Sequence, residues 1–345
     1  MINQLMTGES WISFPNLLPN TGLKFNVDST AFKIGSFEVK WYGVMLCLAI
    51  LACLILGLKT SKKYDIKQDD VLDYLIFALP SAVVGARLYY VAFNFSLYKN
   101  DLMSIFSVRN GGLAVYGGII GAVIAIVCVA KYKKHKFLHI MDFGIIFIPL
   151  GQAIGRWGNF FNQEAYGSVT KMPWGMTGSS IEKELMAEGY DVGSLVHPTF
   201  LYESLWCFAL FALLFVYSRK WKKNHGECIA LYMMLYGLER ALVEGLRTDS
   251  LYIGSTNLRV SQVLSIILIV LGIALFIDCR RRVKNSQTNE TKIEEEDSGL
   301  SDIIKIYDAS LEAEGEKELS ELLAEQSAEI DNYSSVDTQI NEDNE

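Results

Sequence analysis

FEVKWYGVMLCLAILACLILGLKTSKK, residues 37–63, decides the fold. From Trp41 to Leu58 the stretch carries no Asp, Glu, Lys, Arg or His, and at Lys59 it turns abruptly basic. A helix needs about 20 apolar residues to cross a bilayer, and this run is continuous rather than alternating. It is therefore a transmembrane helix and not a barrel strand. Six further blocks have the same character, giving seven in all at 37–58, 71–93, 112–130, 140–160, 199–217, 227–246 and 260–277. The expected fold class is all-α, a polytopic membrane protein with about seven transmembrane helices.

The connections orient it. Lys59, Lys62, Lys63 and Lys67 follow the first span, and Lys131, Lys133, Lys134 and Lys136 follow the third. Arg219, Lys220, Lys222 and Lys223 follow the fifth, and Arg280, Arg281, Arg282 and Lys284 the seventh. Every second connection is basic. By the positive-inside rule these four face the cytoplasm, the N-terminus lies outside and the C-terminus inside. Small residues four apart, Ser81 with Gly85, Gly117 with Gly121 and Gly151 with Gly155, mark close helix packing.

The net charge of −8 hides a division. From Ser286 onward there are 19 acidic and 3 basic residues; before it, 20 acidic and 28 basic. The chain is thus expected to divide into an external segment at 1–36, a membrane domain at 37–284 with an external loop at about 161–197, and an acidic, mostly disordered cytoplasmic tail at 285–345, in which 311–324 can form a short helix. The six cysteines lie in or beside apolar blocks without CxxC spacing, which argues against disulfide and zinc roles. The N-terminus shows no secretory leader pattern. No metal, cofactor or nucleic-acid partner is expected.

Ionisable residues inside membrane helices are costly and usually functional. With the orientation assigned, they share one depth, toward the outer leaflet. Arg87 stands near the outer end of the second span, and Arg156 and Asn159 end the fourth. Tyr236, Arg240, Glu244 and Arg247 form a stripe on the sixth at i, i+4, i+8 and i+11. Glu164 follows the fourth span; His197 precedes the fifth, which has Tyr202 and Glu203 in its first turns. Tyr42 and Tyr116 open the first and third, where tyrosine is also an ordinary interfacial residue. Four arginines among fewer acids suit an anion, most simply a phosphate, which guanidinium meets in bidentate fashion.

The run Gly155-Arg156-Trp157-Gly158-Asn159-Phe160-Phe161-Asn162-Gln163-Glu164-Ala165-Tyr166-Gly167 resembles the signature of the prolipoprotein diacylglyceryl transferases. Other motifs similar to that family's follow in order: Trp41-Tyr42-Gly43, Gly85-Ala86-Arg87-Leu88, Gly111 through Gly118, His197-Pro198-Thr199-Phe200-Leu201-Tyr202-Glu203, and Tyr236 through Arg247. The resemblance covers about residues 10–280.

It implies transfer of the sn-1,2-diacylglyceryl group of phosphatidylglycerol to the lipobox cysteine of a preprolipoprotein, in a bacterial cytoplasmic membrane. The products are a thioether and glycerol phosphate. On that reading Arg156 and Arg240 bind phosphate, and Arg87 and Arg247 support them or pair with Glu164 and Glu244. Asn159 and Tyr42 orient the headgroup; Tyr236 and Gly167 line the lipid site. The base for the thiol is open. Some family members carry His where this chain has Tyr116, and tyrosine is a poor base near neutral pH. Either an arginine improves it, or the thiolate forms by another route, or Tyr116 only positions substrate. His197 is the remaining histidine at that depth. A retinal protein would need a lysine in the seventh span, which has none. A transporter would favour a repeat and midplane charges, and an intramembrane protease a nucleophile–base pair; neither pattern is present.

Overall fold

The computed structural model describes residues 10–17, 22–107, 111–248, 252, 256 and 258–342. The beginning of the chain, where a leader would stand, lies outside the described residues. Eight α-helices occur among them: α1 Trp41–Thr60, α2 Gln68–Phe93, α3 Val115–Tyr132, α4 Phe137–Asn162, α5 Ser179–Ala187, α6 Thr199–Lys220, α7 Glu227–Glu244 and α8 Val260–Glu342. Six segments, comprising α1 to α4, α6 and the first part of α8, are long and apolar enough to cross a membrane. The chain is a polytopic helical membrane protein. Helix α7, the sixth expected span, falls outside that criterion because Glu227, Glu239, Arg240 and Glu244 share its 18 residues.

Two sequence boundaries move. The first span begins at Trp41, because Phe37–Lys40 is strand β4, paired antiparallel with β3, Thr30–Ile34. The sixth helix ends at Glu244, with a turn following. A second small sheet places β1, Trp11–Phe14, between β2, Leu23–Asn26, and β5, Thr177–Gly178. The strands carry no long apolar run, and so they escape a reading tuned to membrane spans.

Helix α4 is the hub of the bundle, packing on α1, α6 and α7. Its Phe143, Ile146 and Phe147 join Leu210, Leu214 and Cys228 in a buried cluster. Helices α2 and α3 pair by close backbone approach. A Cβ on Gly85 would run into Gly117 and Gly121, and one on Gly121 into Ser81. Between helices in lipid there is no hydrophobic drive, so such small-residue seams supply the association. Gly155 meets nothing within 4 Å, so only Gly151 of that pair, against Cys53 Sγ, is a packing glycine.

At the basic-loop end, Asp142 of α4 is fully buried. It accepts hydrogen bonds from the Gly226 and Ile229 amides at 2.8 and 3.1 Å, satisfying orphan donors at the start of α7. Lys222 Nζ pairs with the same carboxylate at 2.9 Å. Residues 281–345 form a second unit. Where the sequence reading expects disorder, α8 extends to Glu342. This stretch has no proline, and its described side chains are almost all exposed.

Candidate active site

An alternating row of charges crosses three helices at the end of the bundle opposite Asp142. Glu203, in the second turn of α6, is 1% exposed. Its Oε2 takes Arg156 Nη2 from α4 and, at 3.2 Å, Arg240 Nη1 from α7. Arg240 Nη2 continues to Glu244 Oε2 at 2.7 Å, the i,i+4 neighbour on α7. Glu244 is equally sequestered, at 2%. Both guanidiniums stay partly accessible, at 22% and 18%. Buried carboxylates holding partly accessible guanidiniums form an arrangement that can take an anion.

The last turn of α4 adds hydrogen-bonding groups. Gln163 takes a left-handed conformation, φ 55°, and ends the helix. The chain folds back so that Glu164 Oε1 accepts from Asn159 Nδ2 at 3.0 Å and Asn162 Nδ2 at 3.1 Å. The Tyr42 ring packs closely on Gly158, where a Cβ would come within 3.0 Å of ring carbons. Tyr42 thereby packs on the glycine that lies between Arg156 and Asn159 in sequence. Gly167 has a similar need: a Cβ would stand 2.8 Å from His197 Cβ, 3.0 Å from Thr199 Cγ2 and 3.1 Å from Leu246 O. That packing brings together the segments after α4, before α6 and after α7. The Ser168 amide bonds Leu246 O at 2.7 Å, and Gly167 bridges Arg247.

Trp174 Nε1 donates to Tyr202 Oη at 2.6 Å, and Tyr202 Oη lies 3.1 Å from His197 Nδ1. With the indole donating, the hydroxyl is free to donate to Nδ1, placing the imidazole proton on Nε2. Burial lowers the His197 pKa, favouring the neutral ring. Tyr236 stacks on Tyr232 with ring centroids 5.2 Å apart.

Four expectations are revised by these positions. Arg87 stands apart from the row and is not available to a phosphate: its five N–H groups go to the carbonyls of Ser104, Ile105, Ser107, Gly111 and Gly112 at 2.7 to 3.2 Å. It also faces the Tyr98 ring at 5.1 Å. The side chain clamps the connection between α2 and α3. Second, Glu164 pairs with asparagine amides and Glu244 with Arg240, while the donors of Arg87 go to main-chain carbonyls. Third, Arg247 lies beyond the end of α7, so the helical stripe stops at Glu244. Fourth, Tyr116 is 41% exposed in the first turn of α3, and among the described residues no hydrogen bond ties it to the row. Conversely, Glu203 was seen in the sequence without a role, and it is the centre of the row. Its signal was a carboxylate one turn inside an apolar helix.

The fold and row define a polytopic membrane protein with an arginine–glutamate row at one end of its helices. A family profile described as prolipoprotein diacylglyceryl transferase matches residues 29–278, and the chain belongs to that family. It is 45% identical over 260 residues to the phosphatidylglycerol–prolipoprotein diacylglyceryl transferase of Finegoldia magna, covering 75% of this chain and 99% of the relative. It is 41% identical over 264 residues to the protein of that name in Clostridioides difficile, covering 76% and 100%. For the one in Fervidobacterium nodosum the figures are 42% over 246 residues, 71% and 82%. The acidic tail lies past the matched stretch.

Proposed function

We propose that this chain transfers the diacylglyceryl group of phosphatidylglycerol to the lipobox cysteine of a preprolipoprotein at the outer leaflet of a bacterial cytoplasmic membrane. The row Arg156–Glu203–Arg240–Glu244 is the observation that carries the reading, beside the family membership. The cysteine sulfur attacks the glycerol methylene carbon that bears the phosphate; the C–S bond forms, the C–O bond breaks, and glycerol phosphate leaves with the electron pair. The thiol proton ends on that phosphate or in water.

Arg156 and Arg240 take the phosphate oxygens and oppose the charge that grows on the leaving group. Glu203 and Glu244 hold the two guanidiniums in place beforehand. Asn159, fixed by Glu164, and Tyr42, seated on Gly158, orient the glycerol headgroup. Tyr236 and Gly167 shape the wall, and Arg247 closes the same corner. Arg87 acts at one remove by holding the segment that leads into Tyr116. The neutral His197 is the side chain best suited to accept the thiol proton; Tyr116 positions substrate. The basic connections support seven spans, α7 included, with the N-terminus outside and the C-terminus in the cytoplasm.

The test uses purified protein, phosphatidylglycerol labelled in its acyl chains and a lipobox peptide. Label is expected on the peptide cysteine and lost when that cysteine is replaced by serine. Arg156→Ala and Arg240→Ala should each abolish transfer in protein that still inserts; full activity in either sinks the phosphate assignment.

A further inference from the structure

The row Arg156–Glu203–Arg240–Glu244 balances two positive against two negative charges, yet a third carboxyl, that of Glu239, directly precedes Arg240 on the same helix. Glu239 on α7 is 2% exposed. Neither of its oxygens has a hydrogen-bond partner, and no cation forms an ion pair with it, among the described residues. The charged and titratable groups near enough to act on it electrostatically are Arg156 from α4, Glu203 and Cys207 from α6, and Arg240, Tyr232 and Tyr236 from its own helix. At this level α8 contributes Ser265 and Ile269, packed on Gly237, and neither is ionisable.

An unpaired carboxylate removed from water is far costlier than the neutral acid. Glu203 and Glu244 hold arginines; Glu239 holds none. We propose that Glu239 is kept as the neutral acid and sets the net charge of the arginine row at zero, so that a monoanionic phosphodiester headgroup can enter. Ionised, Glu239 turns the row net negative and repels the same headgroup. Glu239 therefore acts through the row, as a charge-setting neighbour of the arginines. The inference rests on the transfer reading only for the identity of the lipid.

The experiment measures the KM for dioctanoyl-phosphatidylglycerol, with saturating lipobox peptide and the full chain in zwitterionic micelles, from about pH 6 to about pH 10. Wild-type KM is expected to rise on the alkaline side, approaching roughly tenfold per pH unit for one linked proton. Glu239→Gln cannot ionise, so its KM shows no such rise and falls below wild type at the alkaline end. A merely structural role does not tighten binding there. Glu239→Leu provides the same comparison if the amide disturbs folding. A rise that both variants keep, or a wild-type KM flat throughout, overturns the proposal. Equilibrium binding of the same lipid, followed by tryptophan fluorescence, repeats the comparison without turnover. Protein that binds with the expected pH dependence and transfers nothing refutes the transfer reading and leaves the charge proposal intact.

Discussion

Replacing Glu203 by alanine tests the site at its centre. The carboxylate is 1% exposed and joins two guanidiniums, from α4 and α6's other neighbour α7. Its loss leaves Arg240 with Glu244 but removes the one carboxylate paired with Arg156 in the row. A buried charge stripped of its partner typically costs about 3–5 kcal/mol. At two to four degrees per kcal/mol, the melting temperature in detergent should fall by roughly 10 °C. Transfer should fall at least about a hundredfold, because the donors lose their alignment with the leaving phosphate. A second variant, Glu203→Ala with Arg156→Leu, removes the stranded charge as well. It should regain part of the stability and none of the activity, the signature of coupled residues in a double-mutant cycle. Wild-type melting and turnover in Glu203→Ala would refute the claim that this carboxylate organises the row. A double variant no more stable than the single would show that the cost lies elsewhere than in the unpaired guanidinium.

Three other outcomes are expected. Arg87→Lys keeps the charge but offers three donors for five carbonyls, so it should lose about 1–3 kcal/mol and expose residues 104–112 to proteolysis. Gly167→Ala places a methyl against His197, Thr199 and Leu246, at a cost of about 1–3 kcal/mol, with transfer reduced in proportion to the disturbed corner. Because burial depresses the His197 pKa below its ordinary value of 6.5, that residue's contribution to stability is present above 6.5 and is lost as pH falls through the folded value. Melting curves should therefore weaken on the acid side of 6.5, and His197→Gln should lessen that slope.

The helices were legible because lipid demands long apolar runs, and α1 to α4 and α6 each announce themselves in composition. Helix α7 was legible for a different reason: Arg240 and Glu244 sit at helical spacing, and these two of the charges that make it a poor span belong to the row. The row's arginines were visible as misplaced charge. Their partner Glu203 was visible too, but which arginine it would meet depended on α4, α6 and α7 converging, and no local pattern encodes that. Glu239 was hidden by its neighbour, since a carboxyl next to Arg240 in sequence invites a pairing that helical geometry denies. Arg87 misled because its partners are main-chain carbonyls, which leave no trace in side-chain identity. The short strands were missed for want of length, and the α8 extension because acidic composition speaks of solvation and not of backbone shape.

Asp142 bears on the far end of the bundle. Arg156 stands fourteen residues beyond Asp142 on α4, and Arg240 fourteen beyond Gly226, whose amide Asp142 holds. At the rise of an α-helix both intervals measure about 21 Å. Two parallel rods pinned at a common zero and marked at equal lengths bring their marks level. The arginines meet across Glu203 because a carboxylate at the opposite face of the membrane domain sets where both helices begin to count. A single inserted residue anywhere between pin and mark, on either rod, would lift one guanidinium by about 1.5 Å and swing it by a hundred degrees. The interval between Asp142 and Arg156 should accordingly tolerate changes of side chain far better than changes of length.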